Sequence, residues 1–123
     1  MPPPPSRKPL FILHGAIKSP PFTPDGRQEA GELLRRVQEG EKLSFPQSRP
    51  LPSVGPRCHE IRVRDADHVW RIVYRIDKDA ILVASIFSKK GKSMQQRELG
   101  TAEARLTLYD SVNYARGANR NES

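Results

Sequence analysis

Residues 58–88, "CHEIRVRDADHVWRIVYRIDKDAILVASIFS", constrain the fold most: three apolar runs are separated by two aspartate-bearing turns. In the first run Ile61 and Val63 alternate with Glu60, Arg62 and Arg64, the period-2 pattern of a strand with one buried face. In the second, Trp70, Ile72, Tyr74 and Ile76 share one parity, and Arg71, Val73 and Arg75 share the other. The third, "AILVASIF", is almost continuously apolar, which predicts a strand covered on both faces. "DAD" and "DKD" suit tight turns in which aspartate bonds to nearby backbone, so the three strands form an antiparallel meander.

The flanks complete one domain. "PLFILHG" reads as a short strand closed by Gly15, and prolines 20, 21 and 24 then block regular structure. Thr23 can cap free amides and Pro24 fits a first helical turn. Ala30, Leu33, Leu34 and Val37 follow on one helical face, and Gly40 marks the stop. "EKLSFPQSRPLPSVGPR" has four prolines and no period, so it reads as a loop laid over the core by Leu43, Phe45, Leu51 and Val54. Leu99, Ala102, Leu106 and Tyr109 restore helical spacing near the end. The expected organisation is a proline-rich tail (1–8), one α+β domain (9–114) and a loose tail (115–123). The domain is expected to hold an antiparallel or mixed sheet of about four strands, with both helices packed on one face.

Arg62, Arg64, Arg71 and Arg75 fall on the outward parity of two strands expected to pair, within cross-strand reach of one another. Like charges this close repel, and Glu60 and Asp77 are too few to compensate, so the pattern favours a bound polyanion. The excess of 21 basic over 14 acidic residues, a net charge of +7, fits RNA, DNA or an acidic protein as partner, and equally a plain basic surface. Lys89, Lys90 and Lys92 in "SKKGK" are placed to extend a phosphate-binding concavity, although lysines ending a strand ordinarily serve as solvated gatekeepers.

Other chemistries find little support. The lone Cys58 excludes an intramolecular disulfide and reads as a small strand residue. No His/Cys set has zinc spacing, and neither a phosphate-cradling glycine loop nor a nucleophile elbow occurs. The pairs Asp65/Asp67 and Asp77/Asp79 belong to turns, so neither a metal nor a cofactor is expected. His14, His59 and His68 are scattered; His59 has the parity of Ile61, away from the arginines. No segment is long and apolar enough to be a signal peptide or to cross a membrane, which leads to a cytoplasmic protein without membrane contact.

The run from Cys58 to Lys90, preceded by "GELLRRVQEGEKL" and "PLPSVGP", resembles the RelE/ParE superfamily, and most of all its phage-derived HigB-like branch. The likeness spans roughly residues 9–109 and is carried by Glu60–Arg62, Trp70–Tyr74 and Phe87–Lys90. It implies a type II toxin–antitoxin toxin that inhibits translation by cleaving messenger RNA on the ribosome, silenced by an antitoxin that is often a helix-turn-helix protein. Arg71 matches the family's arginine at the scissile phosphate. Arg62 matches a basic position that is often lysine and a candidate base. Lys90, with Lys89 beside it, matches the basic residue after the last strand, and Tyr109 is only a poor counterpart of a C-terminal tyrosine. Arg64, Arg75 and Lys92 would bind RNA. Cleavage would be metal-free, by attack of the RNA's own 2′-hydroxyl, with arginine stabilising the charged phosphorane and a lysine moving a proton. A non-catalytic RNA- or ribosome-binding inhibitor and a ParE-like gyrase-directed toxin are the alternatives.

Overall fold

The structure is a computed structural model describing residues 7–17, 22–88 and 91–121. Its elements are β1 (Leu10–Ile12), α1 (Pro24–Gln38), β2 (Ser48–Pro50), β3 (Cys58–Asp65), β4 (His68–Ile76), β5 (Ile81–Ser88) and α2 (Lys92–Asn121). The strands form one sheet in the order β1-β5-β4-β3-β2, in which β1 runs parallel to β5 and every other pairing is antiparallel. The α+β class and the β3–β4–β5 meander are those the sequence predicts. The fifth strand, β2, lies inside the expected loop. Three residues are too few to display alternation, and Pro50, which cannot donate to a ladder, is tolerated because β2 is an edge.

Helix α1 begins as its sequence predicts. The Thr23 hydroxyl accepts from the Gly26 amide at 3.3 Å, and Pro24 occupies the first turn. A long-range contact reinforces the cap: the Thr23 amide donates to Asp65 Oδ2 at 2.7 Å and its hydroxyl to Oδ1. Asp65 therefore ties the β3–β4 turn to the start of α1, beyond the local turn role expected of it. These bonds, the hydroxyl's foremost, hold the Asp65 carboxyl below the usual carboxylate range.

The two helices do not share a face. Ala30, Leu33, Leu34 and Val37 of α1 pack on Ile61, Val63, Ile72, Tyr74, Ile81 and Val83. Ala102 and Leu106 of α2 pack instead with Leu51, Val54, Cys58, Val73, Leu82, Ala84 and Phe87 on the other side. Burying an aliphatic side chain of this size contributes about 1.5–3 kcal/mol, and β5 supplies such residues in both directions. A register shift between Val73 and Tyr74 sets Val73 opposite Ser85 and Tyr74 opposite Val83, accommodating Ala84 as an extra residue. Arg105 of α2 donates to the carbonyls of Ala84 (2.8 Å) and Gly15 (2.9 Å), tying the helix to β5 and to the turn after β1. That turn needs glycine: Gly15 has φ +85°, and a Cβ there would stand 3.3 Å from the Arg105 guanidinium.

One further expectation is overturned. In the 41–57 segment Leu51 and Val54 are buried and Leu43 packs on the core, but Phe45 points to solvent at 73% exposure. Helix α2 runs from Lys92 to Asn121.

Candidate nucleic-acid interface

Strand parity places Glu60 on the same face as Arg62, and the β3–β4 register sets Arg62 opposite Arg71. The outcome is a cluster built on one carboxylate. Glu60 is fully buried, and its Oε1 accepts from Arg71 Nη1 at 2.7 Å and from Arg49 Nε at 2.8 Å; Arg62 Nε stands 3.5 Å away. Among the described residues, Glu60 Oε2 accepts no hydrogen bond, and the buried Nε atoms of Arg62 and Arg71 donate none. Three guanidiniums against one carboxylate leave the cluster with two excess positive charges.

The cluster forms part of the wall of a hollow of about 760 Å³ lined by Arg62, Arg64, Arg71, Glu29, Pro46, Gln47, Asp67, His68, Val69 and Ser88. Arg64 is exposed, Arg62 is half-buried, and Arg71 is only 3% exposed. His68, at the start of β4, has its Nδ1 3.3 Å from Ser88 Oγ across the β4–β5 pair and its ring tilted against Trp70. The face expected to be open is therefore partly closed. Ala102 and Leu106 of helix α2 pack with Val73 and Phe87 over its middle, and Arg62 and Arg64 line the hollow together with Asp67 of the β3–β4 turn and Pro46 and Gln47 before β2.

Arg75 does not join the others. It donates to Asp110 Oδ1 and Oδ2 at 2.6 and 2.9 Å, and to Asp77 Oδ1 and Oδ2 at 2.7 and 2.9 Å. The Asp110 bonds foremost, then those to Asp77, hold its guanidinium still more firmly protonated, and they hold the Asp110 carboxyl below its ordinary range. Arg75 is thus a latch between sheet and α2. Lys89 and Lys90 lie outside the described residues. Lys92 opens α2 and is exposed, and it is not among the residues that line the hollow. Cys58 is buried, and burial pushes its thiol pKa up, as befits a packing residue. His59 stacks on Tyr74 on the α1 side, away from the arginines as its parity predicts. Among the described residues no group of His, Cys, Asp or Glu is arranged to hold a metal ion.

The sequence reading missed three participants. Glu60 is visible by parity but reads along the chain as an edge charge. Arg49 sits in a segment without periodicity, and only the pairing of Arg49 with Glu60 across β2–β3 brings it in. His68 reads along the chain as a turn residue, and the hairpin geometry sets it in the same lining as the arginines.

A mixed five-stranded sheet with a helix on each face and a basic hollow at one end is a RelE-type α+β fold. The structure is similar to that of a double arginine-to-alanine mutant of the E. coli toxin RelE in the free state, with a TM-score of 0.60 and 20% identity, covering 81% of this chain and 98% of that one. The family described as "Phage derived protein Gp49-like (DUF891)" matches residues 21–107, and the chain belongs to it. This is a RelE/HigB-type toxin family of toxin–antitoxin systems, and membership implies an antitoxin partner. No curated protein matches the sequence. Among the described residues no helix is long and apolar enough to cross a membrane.

Proposed function

We propose that the protein inhibits translation by cutting messenger RNA in the hollow beside the β3–β4 turn. The observation that carries this reading is the gathering of Arg62, Arg64 and Arg71 on one wall with Arg49 behind them around Glu60: four guanidiniums stand against the carboxylates of Glu60, Glu29 and Asp67, so a positive charge is left over even inside the protein. An RNA backbone supplies the missing anions. Arg64 and Arg62, which reach solvent, hold phosphates. Arg71, fixed by Glu60, stabilises the charge that builds on the phosphorane, an effect strongest for a dipole or cation that need not reorganise.

The nucleophile comes from the substrate. The 2′-oxygen attacks the adjacent phosphorus and the bond to the 5′-oxygen breaks, leaving a 2′,3′-cyclic phosphate and a 5′-hydroxyl. One proton leaves the 2′-hydroxyl and one reaches the departing oxygen. His68, which lines the hollow, serves one transfer. Lys89 or Lys90, after β5, serves the other in the role the family resemblance implies. Such a site depends on the ribosome to align the message, so free RNA is cut slowly.

The test is an in vitro translation reaction in which transcript 5′ ends are mapped for wild type, Arg64→Ala and His68→Ala. Wild type creates new ends on ribosome-bound message, and both variants create at least tenfold fewer. One observation favours a second reading, an inhibitor that binds without cutting: Arg71 is buried and already paired with a protein carboxylate. Translation arrest without new ends establishes that reading and overturns the first.

A further inference from the structure

Phe45 is the most exposed large apolar side chain among the described residues, at 73%. It directly precedes Pro46 and Gln47, which line the hollow. Its turn is not free to drift. The amides of Gln47 and Ser48 both donate to the Ser44 carbonyl at 3.1 Å, and the Arg62 amide donates to the Gln47 carbonyl at 2.9 Å. The ring is therefore anchored two residues from the carbonyl that holds Arg62, one of the arginines on the wall. Nothing in the core requires it, since Leu51 and Val54 of the same segment already provide the packing. A water-facing aromatic next along the chain to the lining of a hollow that carries guanidiniums supplies the two chemistries that recognise unpaired nucleotides: a π-face for the base and cations for the phosphate.

We propose that Phe45 is a base-stacking element at the rim of the arginine hollow, so that the ligand is a single strand presenting an unstacked nucleobase. The inference rests on the nucleic-acid reading above and adds to it a positioning residue and a strand requirement. A duplex keeps its bases stacked inside and offers the ring nothing; a single strand can splay one base onto Phe45 while its phosphates meet Arg62 and Arg64.

The experiment measures binding of the full chain to a fluorescent 2′-O-methyl hexanucleotide, which lacks a 2′-hydroxyl for attack, and to the same backbone made abasic. Phe45→Ala weakens binding of the base-bearing strand roughly 5- to 100-fold and leaves the abasic strand within about twofold. Phe45→Tyr restores wild-type affinity because the ring returns. An unchanged affinity of Phe45→Ala for the base-bearing strand overturns the proposal. An equal loss on both strands also overturns it, since the residue would then act only through loop geometry. Arg64→Ala separates this from the underlying reading. A loss on both strands supports phosphate binding in the hollow, whereas wild-type affinity on both sinks that reading whatever Phe45 does.

Discussion

Glu60 holds Arg49, Arg62 and Arg71 around a single oxygen, so its charge matters more than its shape. Glu60→Gln keeps the volume but leaves Arg71 buried beside no carboxylate. Losing one partner of a buried ion pair is costly, and we expect a stability loss of about 3 kcal/mol, read as a lower urea midpoint. A polyanion should restore part of that loss, because binding to the native state alone stabilises it by mass action. A midpoint equal to wild type would show that Glu60 does not organise the cluster. Asp110 and Asp65 give the pH dependence. Each is held below its ordinary value of 3.8, by Arg75 and by Thr23 respectively. A carboxylate with a depressed native pKa stabilises the fold above its unfolded value, and that contribution is lost as pH falls through the native one. Stability should therefore decline below about pH 4, and Asp110→Asn should flatten the decline in acid titrations followed by circular dichroism. Asp110 is more than half exposed, so solvent screening keeps its share small.

At the scale of elements, α1 carries two glycines that propensity alone treats alike. Replacing a mid-helix glycine by alanine favours the helix by about 1 kcal/mol. Gly31 has nothing within 4 Å of an added Cβ, so Gly31→Ala should raise the melting temperature by a few degrees. Gly26 is different: a Cβ there would lie 2.5 Å from Asp65 Cγ and Oδ2. The carboxylate would have to leave Thr23, undoing the link between α1 and the β3–β4 turn. Gly26→Ala should therefore destabilise by about 1–2 kcal/mol, the size of a lost cap. Paired thermal melts test both signs at once, and a stabilising Gly26→Ala would refute the role given to Asp65. Helix α2 depends on a different device. Past the packing of Ala102 and Leu106, the Arg75–Asp110 pair joins it to β4.

For the whole molecule, the net charge of +7 matters through where it is left uncompensated. Arg75 is neutralised by two aspartates, whereas Arg49, Arg62, Arg64 and Arg71 outnumber Glu60, Glu29 and Asp67 beside one turn. Binding of single-stranded RNA should weaken linearly on a log–log plot against salt, as counterions are released from the strand. Arg64→Ala should reduce that slope by about 0.7, the value for one lost phosphate contact on a single strand. Arg75→Ala should leave the slope unchanged, because its guanidinium faces protein carboxylates. Affinities measured from 50 to 300 mM salt (a range of order set by the usual screening regime) discriminate the two, and equal slopes for all three proteins would detach Arg64 from the interface.

Much of this architecture was legible along the chain. Alternation set the inward face of β3 and β4, Thr23 and Pro24 marked the start of α1, Cys58 read as a packing residue, and Glu60–Arg62, Trp70–Tyr74 and Phe87–Lys90 pointed to the family. The apolar run of β5 even announced two covered faces, although both helices were then expected on one. Tertiary structure alone decided which arginines stay available. Periodicity tells which side of a sheet a residue takes, but not what will cover that side. Counter-charges come from wherever the chain returns: Asp110 reaches Arg75 from 35 residues away, and Arg49 reaches Glu60 across a strand too short to show a pattern. Electrostatic partners are chosen by distance in space, and a one-dimensional pattern carries that information only for near neighbours.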